Sequence, residues 1–355
     1  MKASGEIIIA TGGTGGHIFP ALSCGDYFEK NGRRVRYLLA GSKIGSIERE
    51  NVIYFSSQHF ALNPLKFAKA LYYLIWNFFR SIQLLLRERP CAILATGSYA
   101  VVPVIVAGVL LRIPLFLMEQ NVIPGMVNRF FSRFAISTFV AFSETTEYLH
   151  GKGIHTGLPL RTEALQWLPK EESRKILGLP AERTIILVIG GSLGARGMVE
   201  KIIPQVKRNR ELLFLIQTGN KNFEYFTSQL GSPKVENCIL FPFIKEIGLY
   251  YSASDIVISR AGASSCMEIA FHKVPAILVP YPYSRDKHQY YNAAVLEKYG
   301  LSVVIDETEL SQRLESYLTD FTWIKRGQKD FNVYLHEPAS IILEEIEKYA
   351  DCKKV

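Results

Sequence analysis

Three strand-to-helix turns in this sequence are made of glycine and small polar residues. Thr11-Gly12-Gly13-Thr14-Gly15-Gly16-His17 follows the apolar run Ile7-Ile8-Ile9-Ala10, Gly190-Gly191-Ser192-Leu193-Gly194-Ala195-Arg196 follows Val188-Ile189, and Ser259-Arg260-Ala261-Gly262-Ala263-Ser264-Ser265 precedes Glu268 by about one helical turn. Glycine at such a turn lets backbone N–H groups and a helix N-terminus face an anion or a sugar at close range. Glu268 is placed to take a pair of ribose hydroxyls. A dinucleotide fold would add a third glycine and an acid after the next strand. Here Ile18 holds the glycine position, and the following strands run out into Ala40-Gly41-Ser42 and Gln217-Thr218-Gly219, so NAD is disfavoured. No GxxxxGK[ST] run is present, which excludes a P-loop.

The elements that must carry these turns are short buried strands alternating with helices, twice over. In the first half Glu6–Ala10, Val35–Leu39, Ala92–Ala95, Leu115–Met118 and Ser137–Phe142 read as strands. In the second half Thr184–Ile189, Leu213–Thr218, Cys238–Phe241, Asp255–Ser259, Ala276–Val279 and Ser302–Ile305 do. Such alternation predicts two Rossmann-like α/β domains with parallel sheets, and glycine turns at the carboxyl ends of strands in both predict a cleft between them. The pattern pauses near Gly157-Leu158-Pro159, which puts one domain at 1–157 and the other at 158–335. A last helix, about Pro338 to Tyr349 within 336–355, is expected to pack back on the first domain.

Length and composition agree: 355 residues exceed what one core usually supports, and 48% hydrophobic with 21% charged residues excludes a disordered chain. The formal charge of +8 is spread along the chain, which suits an anionic partner but not a nucleic-acid arm. Five scattered cysteines without CxxC spacing argue against a disulfide framework and a zinc site, and fit a reducing cytosol. The N-terminus lacks a long apolar signal region, so the chain is expected to stay where it is made. Cys91 to Leu111 is uncharged, yet Thr96-Gly97-Ser98 and Pro103 break it into strand, turn and buried helix rather than a membrane span. Leu65 to Arg87 mixes Lys66, Lys69, Arg80 and Arg87 with aromatic residues; it reads either as a core helix or as a helix lying in a membrane interface.

Taken together and in order, Gly12-Gly13-Thr14-Gly15-Gly16-His17, Glu119-Gln120-Asn121, Gly190-Gly191-Ser192-Leu193-Gly194-Ala195-Arg196, Arg260-Ala261-Gly262-Ala263 with Glu268, and Asp286-Lys287-His288-Gln289-Tyr290-Tyr291-Asn292-Ala293 resemble the signature set of the MurG family. These are bacterial UDP-N-acetylglucosamine: N-acetylmuramyl-(pentapeptide) pyrophosphoryl-undecaprenol N-acetylglucosamine transferases, glycosyltransferases of family 28. The resemblance implies a GT-B fold and an inverting, metal-independent transfer of GlcNAc from UDP-GlcNAc to lipid I, giving lipid II. It also implies a first domain for acceptor and membrane, a donor-binding second domain, a peripheral place on the cytoplasmic side of the inner membrane, and possible contacts with wall-synthesis and division proteins.

By the same resemblance Thr14, Gly15, Gly16 and Asn121 approach the GlcNAc, Ser192 and the Ala263 turn the phosphates, Ile244 the uracil through its backbone, Glu268 the ribose and Gln289 the sugar hydroxyls. Arg161 is either a further donor contact or half of a hinge ion pair. His17 is the candidate base that takes the acceptor proton, or else a helix cap or phosphate ligand; Glu119 is the second candidate, or a structural group holding loop amides. No Asp-x-Asp pair stands ready for a nucleotide-bound cation, so no metal or other cofactor is expected. Met118, Leu158, Val199, His288 and Tyr291 depart from the usual family residues. A UDP-GlcNAc 2-epimerase of the same fold and a non-catalytic nucleotide-sugar-binding subunit are the alternatives.

Overall fold

The structure is a computed structural model; it describes residues 5–41, 49–56, 64–191, 194–231, 235–326, 337–350 and 352. The chain divides into two compact units, Met1–Pro159 with Leu335–Val355, and Leu160–Tyr334.

The first unit runs β1 (Glu6–Gly12), α1 (Gly15–Lys30), β2 (Arg34–Ala40), β3 (Val52–Phe55), α2 (Pro64–Glu88), β4 (Ala92–Ala95), α3 (Val102–Leu110), β5 (Leu115–Glu119), α4 (Met126–Phe131), β6 (Ser137–Val140) and β7 (Gly153–His155). Among the described residues its sheet is wholly parallel, in the order β3-β2-β1-β4-β5-β6-β7. β1 lies at the centre, with Ile9 in register with Tyr37 on one side and Leu94 on the other. Burial on both faces explains why β1 reads as a continuous apolar run. The edge strands β3 and β7, which the sequence reading did not foresee, are short and only partly buried, so they lack that signal.

The second unit runs α5 (Lys170–Ile176), β8 (Ile185–Ile189), α6 (Arg196–Arg208), β9 (Leu213–Gln217), α7 (Phe223–Leu230), β10 (Cys238–Phe241), α8 (Ile247–Ala253), β11 (Ile256–Ser259), α9 (Ala263–His272), β12 (Ala276–Leu278), α10 (His288–Lys298), β13 (Ser302–Val304) and α11 (Leu310–Thr319). Its parallel sheet has the order β10-β9-β8-β11-β12-β13. All six expected strands are present. Ile186, Val188, Phe214, Ile216 and Ile258 form the middle of its core, against Met198 and Ile202 of α6.

The final helix, α12 (Pro338–Tyr349), belongs to the first unit. Glu345 accepts from Lys152 Nζ at 2.7 Å and from Ser137 Oγ at 3.3 Å, and Tyr349 packs beside Phe116. One expectation about cysteine is corrected here: Cys91 and Cys352 form a disulfide across 261 residues of sequence. Sequence spacing cannot reveal a bond between residues brought together only by folding. Cys24 and Cys266 are buried thiols, each pushed up by burial.

The segment Cys91 to Leu111 is strand, turn and short helix, as read. No helix among the described residues is long and apolar enough to cross a membrane. α2 has a buried face and an opposite, exposed apolar face. Ala70, Asn77, Ser81 and Leu85 point into the unit, while Leu65, Tyr72, Trp76, Phe79 and Leu86 form an outward stripe at helical spacing, between 51% and 82% exposed.

Candidate functional site

In the first unit the turn after β1 is shaped by what surrounds its glycines. A Cβ on Gly12 would lie 1.9 Å from the Ala40 carbonyl oxygen, and Gly13 adopts φ +85°, so neither position tolerates a side chain. Thr14 stands at the N-cap of α1 without a side-chain cap, and the amides of Gly15 and Gly16 precede the first intrahelical bonds. Thr11 Oγ1 donates to the His17 carbonyl at 3.0 Å and accepts from Thr96 Oγ1 at 2.8 Å, which ties this turn to the one after β4. His17 is half-buried beside it.

The turn after β4 leads on to Glu119. Gly97, at φ +76°, leaves no room for a Cβ, which would meet the Asn128 side chain at 2.3 Å. Asn128 is fully buried and its Nδ2 donates to the Met118 carbonyl and to Glu119 Oε2, both at 2.9 Å. Glu119 also accepts from the Gly125 N–H at 3.0 Å, from the Asn121 N–H at 2.9 Å and from Asn121 Nδ2 at 3.4 Å. Thr145 Oγ1 holds the Asn121 carbonyl at 3.0 Å. The Glu119 carboxylate thus accepts from donors of the following loop and of α4. Met118 points into the core, 1% exposed. Asn128 and Thr145 escaped the sequence reading because nothing in their spacing links them to Glu119.

In the second unit Ser192 lies outside the described residues, and the flanking turn is shaped by Gly191 (φ +77°) and Gly194 (φ +73°). Gln217, at the end of β9, donates to the Gly191 carbonyl at 3.3 Å and accepts the Ile244 N–H at 3.0 Å. That bond joins two expected donor-contact segments and leaves the carbonyl as Ile244's other main-chain group. Ala263 opens α9 behind Gly262, with no side-chain cap at that end. Gln289 accepts the Tyr281 N–H at 2.9 Å through Oε1, which turns its amide NH2 toward other acceptors. Arg260 is spent on structure: its guanidinium pairs with Glu307 at 2.6 Å and donates to the Val279 and Pro280 carbonyls.

Glu268 is 7% exposed, one turn inside α9. Tyr251 of α8 donates its hydroxyl to Oε2 at 2.9 Å, and Arg161 Nη2 stands 3.9 Å from Oε1. Burial raises the Glu268 carboxyl, while Arg161 and the Tyr251 hydrogen bond hold it down. The same burial, with the neighbouring carboxylate, pushes the Tyr251 phenol far up, so it remains a donor. Among the described residues no group of three His, Cys, Asp or Glu side chains could hold a metal ion.

Residues 7–140 match the glycosyltransferase family 28 N-terminal domain and residues 185–328 its C-terminal domain. The UDP-N-acetylglucosamine--N-acetylmuramyl-(pentapeptide) pyrophosphoryl-undecaprenol N-acetylglucosamine transferase of Aquifex aeolicus is 35% identical over 315 residues, 85% of this chain and 88% of that protein. Its Sulfurihydrogenibium counterpart is 30% identical over 345 residues, 93% of this chain and 94% of its own length. Among solved structures, MurG of Acinetobacter baumannii superposes with a TM-score of 0.72 at 24% identity, covering 97% of this chain and 99% of that one. A UDP-GlcNAc 2-epimerase from Neisseria meningitidis reaches 0.70 at 13% identity, over 97% and 100%, which shows a shared fold alone. With both family 28 domains in order, a GT-B fold of two Rossmann-like units and relatives at this identity over most of its length, the chain belongs to the MurG family of glycosyltransferases.

Proposed function

We propose that this protein transfers N-acetylglucosamine from UDP-GlcNAc to the muramyl 4-hydroxyl of lipid I, with inversion at the anomeric carbon, forming lipid II for peptidoglycan. The observation that carries the reading is the set of turns at the carboxyl ends of β8, β9 and β10, joined through Gln217, with the uncapped start of α9 after β11 and the match to transferases over most of the chain.

The second unit is the donor side. The amide-bearing starts of α6 and α9, with Ser192, stabilise the departing diphosphate, since N–H groups and helix dipoles are aimed where negative charge grows. Ile244 meets uracil through its main-chain carbonyl, its N–H being held by Gln217. Glu268 takes the ribose hydroxyls, and Gln289 donates its amide to the sugar. Arg161 steadies Glu268 from the start of the unit.

The first unit is the acceptor side. Thr14, Gly15, Gly16 and Asn121 border the transferred sugar, and His17 receives the proton of the attacking hydroxyl as the glycosidic bond to UDP breaks. Glu119 fixes the Asn121 loop rather than exchanging a proton. The outward stripe of α2, flanked by Lys66, Lys69 and Arg80, docks on an anionic lipid surface and keeps the enzyme at the cytoplasmic face of the membrane.

The test is incubation with UDP-GlcNAc and a lipid I analogue, following UDP and disaccharide together. Disaccharide formed in step with UDP, and only with acceptor, is expected; release of the 2-epimer, or neither product, overturns the reading.

A further inference from the structure

The mechanism above uses Glu268 but not the polar groups behind it. Tyr251 is 1% exposed, so its hydroxyl has no water to turn to and its bond to Glu268 Oε2 at 2.9 Å is its means of satisfaction. Its ring stacks on His272, with centroids 5.1 Å apart and planes 18° from parallel. Glu268 and His272 are four residues apart on α9 and so lie on one face. The tyrosine therefore lies along a single helical turn, ring against the histidine and hydroxyl against the carboxylate.

His272 is itself held at both nitrogens. Nε2 is 2.8 Å from the Ala164 carbonyl, which can only accept, so the proton is on Nε2; Nδ1 then accepts from Ser252 Oγ at 3.2 Å. A neutral, doubly bonded imidazole in that position is a rigid backing plate for the Tyr251 ring.

We propose that Tyr251, backed by His272, is a positioning residue of the transferase: it selects which lone pairs of the Glu268 carboxylate face the ribose, and so sets the preference for a donor carrying both ribose hydroxyls. This rests on reading Glu268 as the ribose contact. With Oε2 partly occupied by the phenol and Oε1 facing Arg161, the remaining acceptor directions are confined to one edge of the carboxylate. An unanchored glutamate would spread over several rotamers and lose that definition. The phenol also favours the ionised carboxylate, the form that accepts from hydroxyls.

The experiment compares wild type, Tyr251→Phe, His272→Gln and Glu268→Gln with UDP-GlcNAc and its 2′-deoxyuridine counterpart. Tyr251→Phe is expected to raise the donor KM about tenfold with kcat within twofold, and to compress the ribose-over-deoxyribose preference. Its acid limb in kcat/KM should move to higher pH, because the carboxylate loses a donor while burial, Arg161 and the buried Cys266 and His272 around it are unchanged. His272→Gln keeps a donor for the Ala164 carbonyl but removes the stack; it should move KM and preference the same way by about threefold, and it carries the test if Tyr251→Phe does not fold. Wild-type KM and full preference in these variants overturn the positioning role. Full preference retained in Glu268→Gln instead overturns the ribose reading, so the two failures are distinguishable.

Discussion

At the residue scale, the two groups that sequence alone left as candidate bases make different predictions. Glu119 accepts from the Asn121 and Gly125 main chain and from Asn128, so Glu119→Gln sets an NH2 against those donors. That change should cost about 1–3 kcal/mol in a urea melt. His17→Ala should lower kcat at saturating substrates by about 10²–10⁴-fold, the range for a lost general base; near-normal turnover would remove His17 from proton transfer. His272 makes a different prediction. Burial lowers it from 6.5 to about 4, against the favourable Ala164 carbonyl. The unfolded chain then binds more protons between those values, so stability rises with pH there. Its contribution is fully present above about pH 6.5 and lost as pH falls toward 4, on the order of 3 kcal/mol in all. Urea midpoints at pH 7 and pH 5 should differ in wild type, and the difference should shrink in His272→Gln.

At the scale of elements, the inner strands were legible because burial on both faces writes an unbroken apolar run into β1, β4, β5 and β8. The edge strands β3 and β7 were not, being short and half-exposed. α2 was legible as a helix but not in its orientation. Its residues fit a core stripe and an outward stripe equally, and packing shows that both exist, with Ala70 and Leu85 inside and Tyr72, Trp76 and Phe79 outside. Replacing Ile75 and Phe79, both exposed, with Asp should release the protein from anionic vesicles in a flotation assay without altering UDP-GlcNAc affinity. Unchanged flotation would mean that the stripe does not meet lipid.

At the scale of the molecule, the Cys91–Cys352 bond closes a loop that encloses the whole second unit. Arg33, which pairs with Glu347 and donates to the Cys352 carbonyl at 2.8 Å, holds the same end of the chain. Cross-links of this kind stabilise by about 2–4 kcal/mol, chiefly by limiting the unfolded ensemble. Cys352→Ser should therefore lower the thermal midpoint in oxidising buffer and match wild type in reducing buffer, with the cysteine state read by differential alkylation. Equal midpoints in both buffers would mean that the bond adds nothing to stability.

The amino-acid sequence by itself determined the alternation of strands and helices, the three glycine turns and the residues that carry the family resemblance. Each is a local property: periodicity, φ > 0 at glycine, or a run of residue types. Only the tertiary structure decided that Glu119 accepts from the following loop and from α4, that Gln217 joins the Gly191 turn to Ile244, that Tyr251 and His272 stand behind Glu268, and that Cys91 meets Cys352. These partners lie on different elements, and many are far apart in the chain. Hydrogen bonds, ring contacts and disulfides depend on distance in space, which the order of residues sets only through the fold.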